Sequence, residues 1–249
     1  MTAQSSSQQF AVFLQKLEER HLADLRFSEV TRALRALSSA YVERRETALA
    51  GHKALDGAGK RAAFAMYYGP IHFLLVQHIV RQLGAAPDRG TVVDLGCGTG
   101  VAGAAVATSV TPLKVMGIDT HPWTLDEARF TYRAFELIAD VRRGDAARTR
   151  FPADTSFVVA AFVVNELKET DRAVLLQEFI RLKADTTGIL IVEPISNRIS
   201  PWWPEWVAAL GGRADEWKVR VDTPPLVTRL AKAAGLRPEV LTARSLLIT

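Results

Sequence analysis

One segment of the sequence combines residue types suited to binding a small charged ligand. Residues 92–100 read Val-Val-Asp-Leu-Gly-Cys-Gly-Thr-Gly, an apolar strand that runs into a glycine-rich turn before a helix. Glycine has no Cβ, so the backbone of such a turn approaches a ligand closely. Free amides at the start of the next helix favour a negatively charged group such as a carboxylate. Asp94, at the end of the strand, is placed to receive an ammonium group.

A second acidic residue ends the next apolar run of the chain. Met116-Gly117-Ile118 leads into Asp119, which lies 25 residues after Asp94. In nucleoside-binding Rossmann-like sheets, an acidic residue at this point binds the ribose hydroxyls. The glycine turn and the two aspartates therefore offer partners for a carboxylate, an ammonium group and a ribose within one site.

This combination resembles the class I S-adenosylmethionine-dependent methyltransferases, whose first motif has the form Asp-x-Gly-x-Gly-x-Gly. The resemblance implies S-adenosyl-L-methionine as the cofactor, with glycines along its methionine and ribose, Asp119 on the ribose hydroxyls and Asp145 at the adenine amino group. The implied cofactor-binding residues are Asp94, Gly96, Cys97, Gly98, Gly100, Asp119, Thr120, His121, Asp145 and Ala146.

The same glycines also fit another ligand class. Gly98-x-Gly100-x-x-Gly103, with Asp119 about twenty residues downstream, matches the dinucleotide fingerprint. Asp94 disfavours that interpretation, because the strand of a nicotinamide site runs apolar into its first glycine, whereas this register would bury Asp94 and Gly96 inside the strand.

Candidate acceptor-side residues follow the apolar run 157–164. Ligands of open α/β sheets bind at the carboxyl ends of the strands, which is where this run delivers Asn165 and Glu166. Methyl transfer is an in-line displacement, so an enzyme mainly aligns the nucleophile and, where needed, removes a proton. We expect Asn165 to orient the acceptor and Glu166 to act as a base or to face solvent. Tyr67, Tyr68 and His72 are the candidate substrate residues.

The elements that position these residues fall into two parts. Residues 1–88 have helical spacing and predict an N-terminal helical extension or cap; residues 89–249 alternate strands with amphipathic helices and predict the cofactor-binding domain. The expected fold is α/β, a Rossmann-like, seven-stranded, mostly parallel sheet. We place strands near 91–95, 113–118, 139–142, 156–163, 187–193 and 240–248, and later helices at about 99–109, 123–138, 169–184 and 224–234.

Three further stretches are similar to the mitochondrial small-ribosomal-subunit methyltransferase-like family: residues 32–41, 163–167 and 191–194. This resemblance implies ribosomal RNA as the methyl acceptor. That family is associated with a cysteine cluster, whereas this chain has Cys97 alone. Two alternatives remain open: a small-molecule methyltransferase with a capped apolar pocket lined by Tyr67, Tyr68 and a tryptophan, and a non-catalytic assembly protein that binds the cofactor.

Composition limits the remaining classes of function. The 249 residues include 31 Lys and Arg, 27 Asp and Glu and one Cys, a globular balance that gives a formal net charge of +4. A single cysteine excludes a disulfide framework and a cysteine-based metal site within one chain. The uncharged stretch Ala62–Val80 is interrupted by Gly69-Pro70, so we expect no membrane span. We also expect no metal and a cytoplasmic location.

Overall fold

The computed structural model describes residues 3–44, 55–85, 87, 89–109, 114–185 and 187–249, with side chains from residue 7 onward except those of residues 40–44. Its centre is one sheet of seven strands in the order β3-β2-β1-β4-β5-β7-β6. Strands β1 to β5 pair in parallel, and β7 runs antiparallel to β5 and β6. The expected α/β, mostly parallel fold is therefore confirmed. The strands are β1 (Thr91–Leu95), β2 (Lys114–Asp119), β3 (Ile138–Arg143), β4 (Thr155–Ala161), β5 (Gly188–Glu193), β6 (Arg213–Arg220) and β7 (Val240–Ile248).

Helices cover both faces of the sheet, as the near-continuous apolar composition of its central strands requires. Alternate residues of β1 and β4 face opposite sides: Val92 and Val159 join one apolar core, whereas Val93 and Val158 join the other. The helices are α1 (Ala3–Leu22), α2 (Phe27–Arg44), α3 (Ala58–Ala63), α4 (Gly69–Leu83), α5 (Val101–Ala107), α6 (Pro122–Ala134), α7 (Glu169–Ala184), α8 (Trp203–Leu210) and α9 (Pro225–Ala234).

The N-terminal helices share a core with the sheet. Phe13 of α1, Leu34 of α2 and Phe73 of α4 are at most 1% exposed and belong to the same apolar cluster as Val92 and Val159. The ring of Phe73 stacks on Phe135 just after α6, with 4.9 Å between centroids. Residues 1–88 differ in composition from the rest of the chain, but the described helices pack directly onto α5, α6 and α9.

Helices α3 and α4 are joined without a break by a π-helix, Phe64–Tyr68. The run Ala58–Leu83 passes a length and composition test for a membrane-spanning helix, with a mean hydropathy of 1.2. Its most apolar window is 67% buried inside the protein, which is typical of a core helix. Gly69-Pro70 does not interrupt the run, because proline is tolerated in the first turn of a helix and α4 begins there.

Some predicted elements differ from the structure. The helix expected over 123–138 ends at Ala134, and β3 begins at Ile138 after a turn through Glu136, whose φ is +56°. Strand β6 was not predicted. Its sequence, RADEWKVR, is charged and mostly exposed, because β6 is an edge strand paired only with β7.

A buried carboxylate fastens α1 to α6. Glu127 of α6 is 1% exposed and accepts hydrogen bonds from Arg20 Nε at 2.9 Å and from His21 Nε2 at 3.0 Å. Burial by itself would raise the pKa of Glu127, but the hydrogen bonds and charges of His21 and Arg20 outweigh it and hold that pKa below its usual value. The attachment of α1 therefore depends on keeping this buried charge compensated.

We expect the cost of breaking this contact to depend on which side is removed. Arg20→Gln/His21→Gln leaves Glu127 buried without the guanidinium of Arg20 and the imidazole of His21, so the free energy of unfolding should fall by about 3 kcal/mol or more. Glu127→Gln should lower the free energy of unfolding by less, because Arg20 is 40% exposed and water solvates its guanidinium. Urea denaturation measures both, with Arg229→Gln of the exposed Arg229–Glu18 pair as the control at under about 1 kcal/mol. Equal losses in all three variants would contradict this account.

Candidate functional site

The glycine turn has the backbone conformation that its sequence predicts. Gly96, Gly98 and Gly100 have φ values of +65°, +51° and +79°, in the left-handed region that favours glycine. The amide of Cys97 donates to the carbonyl of Ile118 on β2 at 2.9 Å, and the amide of Gly100 donates to the carbonyl of Cys97 at 2.7 Å. The turn thus links the carboxyl end of β1 to the start of α5.

Two of these glycines are also needed for space. A Cβ on Gly96 would lie 2.2 Å from Cγ2 of Val163, and one on Gly100 would lie 2.9 Å from Cα of Ala128. A Cβ on Gly98, in contrast, would meet nothing within 4 Å. The turn is therefore packed against the protein at Gly96 and Gly100 and open at Gly98. We call the backbone of residues 96–100 the cradle, because its open part leaves room for a ligand to lie over it.

The side chain of Asp94 points into the protein interior. It is 1% exposed, and its Oδ2 accepts hydrogen bonds from the amide of Gly103 at 2.8 Å and the hydroxyl of Tyr132 at 2.9 Å. Burial raises the pKa of Asp94 to about 7, although these two hydrogen bonds oppose that rise. In this structure the carboxylate fastens α5 and α6 to β1. Its contact with an ammonium group stays a prediction.

Asp119 lies beside the open part of the cradle. Its Oδ2 accepts from the amide of Gly98, and its Oδ1 accepts from the amide of His121, both at 2.9 Å. The side chain is half-buried, so it borders both the turn and solvent. His121 caps α6, because its Nδ1 accepts from the amide of Trp123 at 3.1 Å. Thr120 between them is exposed.

The remaining predicted cofactor residues lie on neighbouring segments. The amide of Gly144 donates to the carbonyl of Asp119 at 3.0 Å, which holds the loop after β3 next to β2. In that loop, Asp145 is half-buried and accepts from the amide of Ala147, and Ala146 is 8% exposed. The thiol of Cys97 is buried, and burial raises its pKa well above the usual value, so it remains a neutral thiol.

A stack of aromatic rings joins the end of β4 to α4, and the sequence only partly indicated it. Phe162, directly after β4, has φ +58°, an uncommon conformation for a residue with a side chain and one that clusters at functional sites. Its ring stacks on His72 of α4, with 4.3 Å between centroids and 25° between planes. The sequence analysis did not identify Phe162, because its distinguishing feature is a positive φ angle and no sequence motif marks it.

Two tyrosines continue this stack along the π-helix. The ring of Tyr68 lies 6.0 Å from His72, and Tyr67 meets Tyr68 edge to face at 5.1 Å. Burial raises the pKa of each tyrosine to about 12 and lowers that of His72 to about 4. All three side chains are therefore uncharged near neutral pH.

The start of α4 also touches the glycine turn. A Cβ on Gly69 would lie 3.5 Å from Oγ1 of Thr99. Because Val163 packs on Gly96 at the same time, the turn after β4, the start of α4 and the glycine turn meet at one place. The structure thus places Gly69, which follows Tyr68, and Val163, which follows Phe162, against the glycine turn.

Asn165 and Glu166 lie in a short 3₁₀ turn, Val164–Glu166, after β4. Glu193, at the end of β5, accepts from the amides of Val164 at 2.8 Å and Asn165 at 3.3 Å through Oε1. The Oδ1 atom of Asn165 is buried and has no hydrogen-bond partner among the described residues, whereas Glu166 is exposed. The sequence analysis assigned no role to Glu193, although a glutamate at the end of a buried strand itself indicates a residue with a specific partner.

Three tryptophans lie away from this site. Trp202, Trp203 and Trp206 are buried in the core with α7, on the opposite face from the core that contains Tyr67. Within the part of the chain that the structure describes, His, Cys, Asp and Glu side chains form no group of three suited to a metal ion.

Comparison with known proteins agrees with this geometry. A family profile described as a methyltransferase domain matches residues 92–185, from β1 to the end of α7. No curated protein sequence matches the chain. The matched segment contains the glycine turn, Asp119, Asp145 and Asn165.

Solved structures are similar to this chain at low sequence identity. A candidate O-methyltransferase from Nostoc punctiforme is 14% identical over 89% of this chain and 69% of that one, with a TM-score of 0.54. A tRNA (uracil-54, C5)-methyltransferase from Pyrococcus abyssi, solved with S-adenosyl-L-homocysteine, is 16% identical over 70% of this chain, with a TM-score of 0.46. This chain spans 38% of the length of the Pyrococcus protein. Residues 92–185 are thus similar to a methyltransferase domain.

We expect Asp119→Ala to abolish cofactor binding. The substitution removes the carboxylate predicted to hold two ribose hydroxyls, and hydrogen bonds to a charged group contribute about 1.5–3 kcal/mol each, so the Kd for S-adenosylmethionine should rise by more than about a hundredfold. Isothermal titration calorimetry measures the change. Asp126→Ala, which removes an exposed acid from α6, is the matched control and should leave Kd unaltered. Unchanged affinity in Asp119→Ala would contradict the ribose assignment.

The close approach at Gly96 gives a second test. Gly96→Ala combines the left-handed backbone with a clash against Val163, whereas Gly84→Ala, at the end of α4, has a φ of +62° and open space around its Cβ. We expect Gly84→Ala to cost only the backbone strain of about 1 kcal/mol, and Gly96→Ala to lose more stability and to weaken cofactor binding. Thermal unfolding with and without S-adenosylmethionine compares them. Equal behaviour of the two variants would show that the contact with Val163 has no role.

Proposed function

We propose that this protein transfers a methyl group from S-adenosylmethionine to RNA, with ribosomal RNA as the first candidate. The observation that carries the choice of acceptor is the stack formed by Tyr68, His72 and Phe162 beside the cofactor cradle. Proteins recognise single-stranded RNA by stacking its unpaired bases on aromatic side chains. The three rings are half-buried, so they retain surface for such a contact.

The residues of the cradle have defined parts in this proposal. The backbone from Gly96 to Gly100 holds the methionine portion of the cofactor, Asp119 binds the ribose, and the loop containing Asp145 and Ala146 borders the adenine. When bound, S-adenosylmethionine supplies a methyl group on a positively charged sulfur. The close packing of Val163 on Gly96 then sets the distance between the cradle and the acceptor.

The acceptor side aligns the nucleophile and excludes water. A planar base stacked beside Phe162 and His72 is held with its edge towards the cradle, and such alignment is the main requirement of an in-line displacement. The low pKa of His72 keeps its ring neutral, so it adds no positive charge next to a sulfonium. Asn165 offers its amide oxygen to a donor on the acceptor, and exposed Glu166 is a candidate to receive a proton.

The arginine-rich run 142–150 supports RNA contact less strongly than its composition suggests. Arg142 pairs with Asp140 at 3.0 Å, and Arg148 pairs with Asp171 at 3.1 Å. Both arginines are exposed, and ion pairs of exposed arginines exchange readily for phosphate contacts because each contributes little. We therefore propose that the run contributes affinity that decreases with salt and that the aromatic stack carries the selectivity. The compartment proposed is the cytoplasm.

The direct test uses methyl-tritiated S-adenosylmethionine with a fractionated cell extract and separately with small ribosomal subunits. We expect label in RNA that ribonuclease releases and that a heat-inactivated control lacks. Label in small molecules would instead support a pocket enzyme. Cofactor binding without label in any fraction would support a non-catalytic role.

A substitution in the aromatic stack links that activity to the site. Stacking a base on an aromatic ring contributes about 1–3 kcal/mol, so Phe162→Ala should lower kcat/KM for RNA by roughly 5- to 150-fold and leave the Kd for S-adenosylmethionine within about twofold. Phe10→Ala is the matched control, because Phe10 also stacks, at 4.6 Å on Phe73, but within the core of the N-terminal helices. If the two variants transferred methyl groups equally well, the stack would not be the acceptor site.

A further inference from the structure

The turn that follows β4 is held in shape by one buried glutamate. Glu193 is fully buried at the end of β5, and its Oε1 accepts hydrogen bonds from two successive amides, Val164 at 2.8 Å and Asn165 at 3.3 Å. The 3₁₀ turn is only three residues long, Val164–Glu166, and has no side-chain cap of its own. The carboxylate therefore supplies an acceptor that the turn lacks.

A cation on the neighbouring strand faces this carboxylate. Arg244 of β7 is the register partner of Glu193 and is 2% exposed. Its Nε donates to the carbonyl of Pro194 at 2.9 Å, and its Nη1 donates to Oδ1 of Asn197 at 3.1 Å. The guanidinium is thus fixed to the loop after β5, and its positive charge favours the ionised form of Glu193.

Two buried oxygens in this cluster are left without partners among the described side chains. They are Oδ1 of Asn165 and Oε2 of Glu193. A buried oxygen without a hydrogen bond is costly, so such atoms call for an explanation at each place where they occur. Asn165 is held by its backbone amide while its side-chain oxygen stays available, which suits a residue that receives a hydrogen bond from a ligand.

We propose that Glu193 is a positioning residue for methyl transfer: its Oε1 fixes the backbone of Asn165 so that Oδ1 of Asn165 receives a hydrogen bond from an N–H or O–H donor on the methyl acceptor. This inference rests on the proposed function and assigns Asn165 and Glu193 different tasks. Asn165 touches the acceptor, and Glu193 acts through Asn165. The acceptor class it implies is a base or other group with a hydrogen-bond donor near the methylated atom.

Three variants separate positioning from simple structural support. Glu193→Gln keeps an oxygen at Oε1 and removes the charge, Glu193→Leu removes both oxygens, and Asn165→Ala removes the contact with the acceptor. Glu178→Gln, which neutralises an acid paired with Arg181 on α7, is the control for charge alone. We expect Glu193→Leu to lower kcat at saturating cofactor at least tenfold with the Kd for S-adenosylmethionine within twofold, and Glu193→Gln to restore most of that loss.

The combination of substitutions is the decisive comparison. If Glu193 acts through Asn165, Glu193→Leu/Asn165→Ala should be no slower than Asn165→Ala alone, because the effects of coupled residues are not additive. Independent, multiplying effects would overturn the proposal. Full activity in Glu193→Leu would overturn it as well. Glu193→Leu places an apolar side chain beside two unsatisfied amides and is the variant most at risk of misfolding. The same double-variant comparison is therefore also made with Glu193→Asp. Its shorter side chain moves the carboxylate oxygen away from the amides of Val164 and Asn165.

The pH profile gives a readout that a merely structural role would not change. Burial raises the pKa of Glu193 to about 8; the two amide hydrogen bonds oppose that rise, as does Arg244, while the nearby Glu166 adds to it. A carboxylate accepts amide hydrogen bonds more strongly than a carboxylic acid or a neutral amide, so kcat of the native protein should increase as pH rises through about 8, by no more than the difference in kcat between the native protein and Glu193→Gln. Glu193→Gln should lose that step. Its persistence in Glu193→Gln would contradict the assignment to Glu193.

Failure of the proposed function is seen separately. If the native protein transfers no label to RNA, the choice of acceptor is wrong before any variant is compared. Amide hydrogen exchange at Val164 and Asn165 needs no acceptor. It therefore still measures whether Glu193 holds these two amides. Protection should be retained in Glu193→Gln and lost in Glu193→Leu, and equal protection in both would overturn the positioning role.

Discussion

The site depends on one close approach between two turns. Gly96 and Val163 lie so near one another that a Cβ on Gly96 would be 2.2 Å from the valine side chain. This contact brings the end of β1, with the glycine turn proposed to hold the cofactor, against the end of β4, where the residues proposed for the acceptor begin. Glycine is required on one side, and the left-handed turn at Gly96 keeps the backbone in the shape that allows the contact.

Buried carboxylates hold the elements around this contact. Asp94 fastens α5 and α6 to β1, Glu193 holds the turn after β4, and Glu127 fastens α1 to α6. Each accepts hydrogen bonds from an element other than its own, because burying a polar group is costly unless it is hydrogen-bonded. Burial raises the pKa of Asp94 and Glu193, whereas the cations beside Glu127 lower its pKa. The framework of the site is therefore polar as well as apolar.

Sequence reasoning predicted what local patterns determine. The glycine turn, the strand that ends in Asp119 and the order of strands and helices were readable because periodicity and glycine placement act over short distances. Edge strand β6 was missed because its charged sequence lacks strand periodicity, and Phe162 because its importance lies in a positive φ. The partners of Glu193 were not predictable either, since they join residues nearly thirty positions apart whose proximity is set by sheet order.

The central claim is that the cofactor lies in the cradle between Asp119 and the turn after β4, with its sulfur towards the acceptor residues. A crystal structure with S-adenosyl-L-homocysteine tests it directly. The account predicts the ribose hydroxyls on the carboxylate of Asp119, the methionine portion over Gly98, and the sulfur facing Phe162 and Asn165. A ligand bound with its ribose away from Asp119, or with its sulfur turned from the end of β4, would contradict it.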